Sequence, residues 1–173
     1  MSEARVYMER EPCALCGQSG FAYPSKLVER GDRLAVVANG YRASCGTDRK
    51  FELLLADERV PNGAWGNQTP STLIDAGEWL EIADEYGAKV PAEIETLDPQ
   101  QRELARANLA KGIAAVEEVL KFFPAGSDEP PRDALFTKRG LERYLADRIR
   151  FRRDRLEVLL EAWRELASSF IEN

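Results

Sequence analysis

The sequence predicts an α+β protein: a small antiparallel β-meander followed by a three-helix C-terminal unit. Three observations carry this reading. The first sixty residues hold short β-favouring runs punctuated by turn residues. Residues 61–70 are rich in Gly, Pro and Asn and read as a connector. Residues 71–173 place apolar side chains three and four apart, with helix-start signals in front of them. The expected division is therefore a β module over 1–60, a connector over 61–70 and a helical unit over 71–173. The two parts are expected to pack as one compact protein, because Trp65 in the connector is costly to leave in water. At 173 residues the chain is long enough to bury roughly 70% of its unfolded surface without disulfides.

Within the β module, residues 6–8 suggest a short first strand. Residues 21–29 carry Phe21, Tyr23, Leu27 and Val28, with Pro24 marking an edge or a bend. Gly31-Asp32 reads as a turn into the β-rich run 34–38 (LAVVA). Asn39-Gly40 is a two-residue hairpin signal, since both residues tolerate positive φ. On that reading residues 41–44 return antiparallel, and 50–56 (KFELLLA) form the last strand.

In the helical unit, residues 71–87 space Ile74, Trp79, Ile82, Ala83 and Tyr86 for a helix, and Gly87 reads as its C′ stop. Asp98-Pro99-Gln100-Gln101 has an Asp N-cap, Pro at the first helical position and Gln at the third, the signature of a capping box. That helix is expected to run to about Phe123. Thr137 caps a long final helix to about Ile171, and Arg152 and Arg153 interrupt its apolar stripe, so a kink or an exposed turn is expected there.

Composition narrows the chemistry. The chain has no histidine, which excludes Ser-His-Asp and Cys-His catalysis, HExxH and Cys₂His₂ zinc sites and histidine pH switches. The phosphate-cradling patterns GxxxxGK[ST] and GxGxxG are absent, as is GxSxG. The apolar runs are too short to span a membrane, and the first twelve residues lack the apolar core of a secretory signal, so the expected location is cytoplasmic.

Three cysteines remain. Cys13-Ala14-Leu15-Cys16-Gly17 is CxxCG, a tight turn from which two thiolates can grip one ion, with a glycine that lets backbone amides point at sulfur. Arg42-Ala43-Ser44-Cys45-Gly46 repeats the pattern as xxxCG, with Arg42 where a cysteine would stand. Two such turns around antiparallel strands resemble the zinc-ribbon family over residues 10–56. The resemblance implies a structural zinc on Cys13, Cys16 and Cys45. Arg42 cannot ligate because it stays protonated. Three readings follow: zinc on three cysteines with Asp48, another carboxylate or water in the fourth place; a vestigial ribbon whose thiols pack as small apolar groups; or a CxxC redox pair. The last fits least, because CxxC here leads into a strand rather than a helix.

Charge supplies the remaining candidates. Residues 138–155 hold eight basic and three acidic side chains in a chain of net −6. Arg148, Arg152 and Arg155 would share one helix face, with Tyr144 and Phe151 nearby to stack on bases. Residues 74–98 hold eight acids and one lysine, so the two stretches are expected to pair with each other. Asp75, Glu78, Glu81 and Glu85 lie within a few turns, which suits either a solvated face or a carboxylate site. Trp65 is either a packing peg or a partner anchor. Taken together the chain reads as a non-catalytic cytoplasmic protein-interaction module of toxin-neutralising (immunity-type) or regulatory kind, whose acidic surface steers it to another protein. The alternatives are a zinc-ribbon nucleic-acid-binding or transcription-related regulator using the Arg-rich helix, and an enzyme with an unrecognised carboxylate site.

Overall fold

Among the described residues, side-chain alternation along three strands and 3.6-residue periodicity along five α-helices build the fold. The computed structural model describes residues 3–20, 24–42, 44–55, 60 and 62–170. It divides into two compact units, Met1–Pro61 and Asn62–Asn173.

The first unit opens with a helix, not a strand. α1 spans Glu3–Arg10 and buries Ala4, Val6 and Met8. The triplet Val-Tyr-Met is too short to separate a period of two from one of 3.6. Ala4, Tyr7 and Met8 share one face at i, i+3 and i+4, and Arg5 pairs with Glu9 at 2.8 Å on the other. Three antiparallel strands follow in the order β1-β2-β3: β1 Ser25–Arg30, β2 Arg33–Arg42 and β3 Thr47–Leu54. Pro24 immediately precedes β1, a position that needs no ladder N–H. Expectations on Phe21 and Tyr23 lie outside the described residues. The β1–β2 turn is Gly31-Asp32, with Gly31 at φ +65°.

The Asn39-Gly40 hairpin does not occur. Both residues sit inside β2, opposite Lys50 and Arg49 of β3, and the ladder continues through Tyr41↔Asp48 and Arg42↔Thr47. The chain reverses later, between Arg42 and Thr47, where the second CG turn supplies the left-handed residue, Gly46 at φ +70°. Cross-strand pairs share a face, so Val36 and Ala38 of β2 line up with Leu53 and Phe51 of β3. On that face Met8 and Ala38 are buried, with Tyr7, Val36, Phe51 and Leu53 packed around them. Tyr7 and Phe51 meet edge to face at 6.2 Å.

The second unit holds four helices: α2 Ala76–Gly87, α3 Pro99–Lys121, α4 Lys138–Ala146 and α5 Arg153–Ser169. The expected long final helix is two. Its chain leaves helical geometry at Asp147 and again at Arg152, with a 3₁₀ turn Arg148–Phe151 between them. That detour carries Phe151 into the core at 1% exposure and brings Arg150 to Asp84. The Asp98 capping box is present: Gln101 N donates to Asp98 Oδ1 at 2.8 Å, and Asp98 N donates to Gln101 Oε1 at 3.0 Å. No helix among the described residues is long and apolar enough to cross a membrane.

Two sets of glycines set the helix spacing. Gly87 is not a left-handed stop; α2 ends on Ala88 in right-handed geometry. Gly87 and Gly112 instead clear a slot for the Trp163 indole, which a Cβ would meet at 2.7 and 2.8 Å. Gly77 and Gly140 let the starts of α2 and α4 touch, and a Cβ on Gly77 would lie 2.4 Å from Gly140 backbone. At the same spot Asp75, fully buried, accepts from Glu78 N at 2.9 Å and from Thr137 N and Thr137 Oγ1 at 2.8 Å each. Thr137 Oγ1 in turn accepts from Gly140 N at 2.9 Å. One carboxylate thus caps α2 and holds the residue that caps α4.

Gly140→Ala is expected to destabilise the helical unit by about 3 kcal/mol, since the new methyl must displace backbone or the Asp75 carboxylate. Thr137→Ala is expected to cost about 2 kcal/mol by removing a cap and leaving Asp75 short of a donor. Urea unfolding followed by tryptophan fluorescence checks both, because all three tryptophans lie in this unit. A Gly140→Ala midpoint equal to wild type would contradict the packing.

Candidate metal centre

The β3 face that carries the small core also leads to the cysteines. Leu53, Phe51, Arg49 and Thr47 alternate along it. Arg49 lies 4.8 Å over the Phe51 ring and donates to Glu11 O at 3.0 Å, which ties the strand to the segment just before Cys13. Thr47 Oγ1 lies 3.2 Å from Cys45 Sγ.

Residues 13–17 form a closed turn: Cys13 N donates to Gln18 O at 2.9 Å and Gly17 N to Cys13 O at 2.7 Å. Gly17 and Gly46, each following a cysteine, both adopt φ +70°. The repeated CG pattern therefore corresponds to repeated backbone geometry. The sulfurs of Cys13, Cys16 and Cys45 all lie within 4.8 Å of one another, with Cys13 and Cys45 at 3.8 Å. All three thiols are free. Cys13 is buried at 2% exposure, Cys45 is partly buried and Cys16 is exposed.

Backbone amides favour charge at the inner sulfur. The N–H groups of Cys16 and then Leu15 point at Cys13 and, against the loss of water, bring its thiol down to about 6, with the neighbouring thiols adding to the effect. At Cys16 the Gln18 amide lowers the pKa. Desolvation, the Cys45 and Cys13 thiols and the Cys13 charge outweigh it, and the value rises. Unlike directions at Cys13 and Cys16 mean that this pair sheds its protons in steps. A soft divalent cation replaces those protons and removes the repulsion between thiolates, so the donor set fits a thiophilic metal at three positions.

Asp48 is not in this group. Strand alternation puts it on the opposite face from Thr47, where it is exposed. Among the described residues no carboxylate joins the three thiols.

The other candidate residues lie in the second unit. Trp65 is 2% exposed, donates from Nε1 to Lys111 O at 3.2 Å and stacks within 6.0 Å of both Trp79 and Tyr86. Next to it, buried Glu118 accepts from Gly66 N at 2.9 Å and pairs with Lys121 at 2.7 Å. The sequence offered no sign of this glutamate's role. The acidic and basic stretches do pair. Arg139 meets Glu81 at 2.7 Å, Arg143 meets Asp84, and Arg150 meets Asp84 at 2.5 Å. These are not the arginines singled out from sequence. Arg148, Arg152 and Arg155 are exposed, and the breaks at Asp147 and Arg152 keep them from sharing one helix face. Arg148 lies over the Tyr144 ring at 5.5 Å, and Arg152 pairs with Asp154 at 3.2 Å.

No family model, curated protein or solved structure matches this chain.

Cys13→Ser, Cys16→Ser and Cys45→Ser are each expected to weaken zinc binding by about a hundredfold, because each removes one of three thiolate bonds. Asp48→Asn is expected to leave it unchanged. Competition against a chromophoric chelator measures all four, and an Asp48→Asn loss as large as a cysteine variant's would put the carboxylate in the site.

Proposed function

We propose that this chain is a non-catalytic, zinc-stapled interaction protein. Zinc on Cys13, Cys16 and Cys45 fixes the N-terminal sheet, and the protein acts by binding another protein in the cytoplasm, in the manner of an acidic neutralising or regulatory subunit. The observation that carries the reading is the commitment of the helical unit's charges to one another. Asp75 is occupied by three donors. Glu81 and Asp84 hold three arginines. Glu78 and Glu85 add their fields around Arg139. Carboxylates so engaged are poorly placed for acid–base work, and arginines so engaged are unavailable to phosphate.

The nucleic-acid reading keeps one specific observation in its favour: Arg148, Arg152 and Arg155 are exposed, with Tyr144 beside Arg148. Against it stands the net charge of −6, which repels a polyanion at long range.

Titration of labelled RNA and duplex DNA at two salt concentrations separates the two. The interaction reading expects no complex at micromolar protein. A nucleic-acid binder using these three arginines would bind with a salt slope of about −3 and lose that binding in the Arg148→Ala, Arg152→Ala, Arg155→Ala triple variant. That result would overturn the proposal.

A further inference from the structure

We propose that the metal held by the three thiols keeps one coordination position open to an exogenous ligand, and that this position takes a small thiolate. The inference rests on the metal reading above and goes one step further, to the ligand that completes the site.

These 173 residues hold three cysteines and no histidine, so neither a fourth thiolate nor an imidazole among them joins the group. Of the two methionines, Met8 is 3% exposed and packs against Ala38 in the sheet core. A zinc-type ion is four-coordinate, and a closed structural site fills all four places with protein donors. Here the described carboxylates stay out of the group, and the nearest strand acid in sequence, Asp48, points away from it. Three protein donors and one open place is the arrangement associated with exchangeable ligands.

The burial gradient says where that place faces. Cys13 is interior, while Cys16 and Cys45 are both less buried, so the ion meets solvent on the side of those two. Leu15, in the same turn, is 71% exposed. The ligand class follows from the metal. An ion already bound to three sulfurs is matched by a soft donor in preference to water or carboxylate oxygen. The added ligand is held by a metal–sulfur bond formed as the thiol loses its proton to solvent and the bound water leaves. No oxidation is involved.

Cobalt(II) in place of zinc makes this visible, because its absorption reports the number of sulfur ligands. The full chain, loaded with cobalt and titrated with 2-mercaptoethanol, is expected to gain about a third in thiolate-to-cobalt charge-transfer intensity as three sulfurs become four. The ligand-field bands shift with it, and the metal stays at one ion per chain. Azide is expected to shift the same bands without the charge-transfer gain. A cobalt spectrum that ignores both additions overturns the inference and leaves the metal site standing, its fourth place closed by oxygen from the chain. Half an ion per chain also overturns it, since a second copy then supplies the missing donors. Bleaching with release of cobalt on adding the thiol counts against it too. Failure to bind cobalt or zinc at all removes both this inference and the metal reading.

Discussion

The first unit has a small core: Ala4, Val6, Met8, Cys13, Ala35, Val37 and Ala38 are buried, with Tyr7, Val36, Phe51 and Leu53 half-buried around Met8 and Ala38. A three-stranded sheet with a core of this size gains from a further constraint. In the proposed metal site the converging thiols supply it. Cys13 and Cys45 are 32 residues apart in sequence and 3.8 Å apart at sulfur. A cross-link over a loop of that length lowers the entropy of the unfolded chain by about 4 kcal/mol in the loop-closure picture, the same order as the whole stability of a small domain. Arg49 and Thr47 connect this staple to the core, because both lie on the strand face that carries Phe51 and Leu53.

The helical unit is held by different physics. Its node is the Asp75 carboxylate, which satisfies the start of α2 and the residue that starts α4. A charge buried without such donors would cost several kcal/mol. The glycines at the crossing are what allow the two helix starts to come that close. Around this node the surface ion pairs of Glu81 and Asp84 contribute little individually, because they remain partly in water. Their consequence is functional: they decide which charges remain for a partner. The acids of α2 largely answer Arg139, Arg143 and Arg150, while Arg148, Arg152 and Arg155 are exposed, Arg152 beside Asp154.

What was legible in the sequence was local chemistry with few solutions. The Asp98 capping box uses residues that satisfy each other's backbone within one turn, so its structure follows from four positions. The CxxCG and xxxCG turns are of the same kind, and both glycines take the same left-handed geometry. Misreadings arose where tertiary packing chose between local options. Asn39-Gly40 suits a hairpin, yet the reversal is fixed by the Cys45 turn, and β2 runs through both residues to reach it. Gly87 suits a helix stop, yet it is there to seat Trp163. The break between α4 and α5 is set by where Phe151 and Arg150 must go, neither of which a helical wheel reveals. Asp75 looked like one of several surface acids. Its burial depends on Thr137, sixty-two residues away.

The central claim is that the first unit is stapled by a metal on its three cysteines, while the second folds without one. Hydrogen exchange on the full chain, zinc-loaded and after treatment with a strong chelator, tests it most directly. The account predicts that chelation releases the amides of residues 10–54, with those of Leu15, Cys16 and Gln18 among the first, and that α2, α3, α4 and α5 keep their protection. Equal protection of residues 10–54 with and without zinc would contradict it, because the sheet and its cysteine turns would then stand on packing alone.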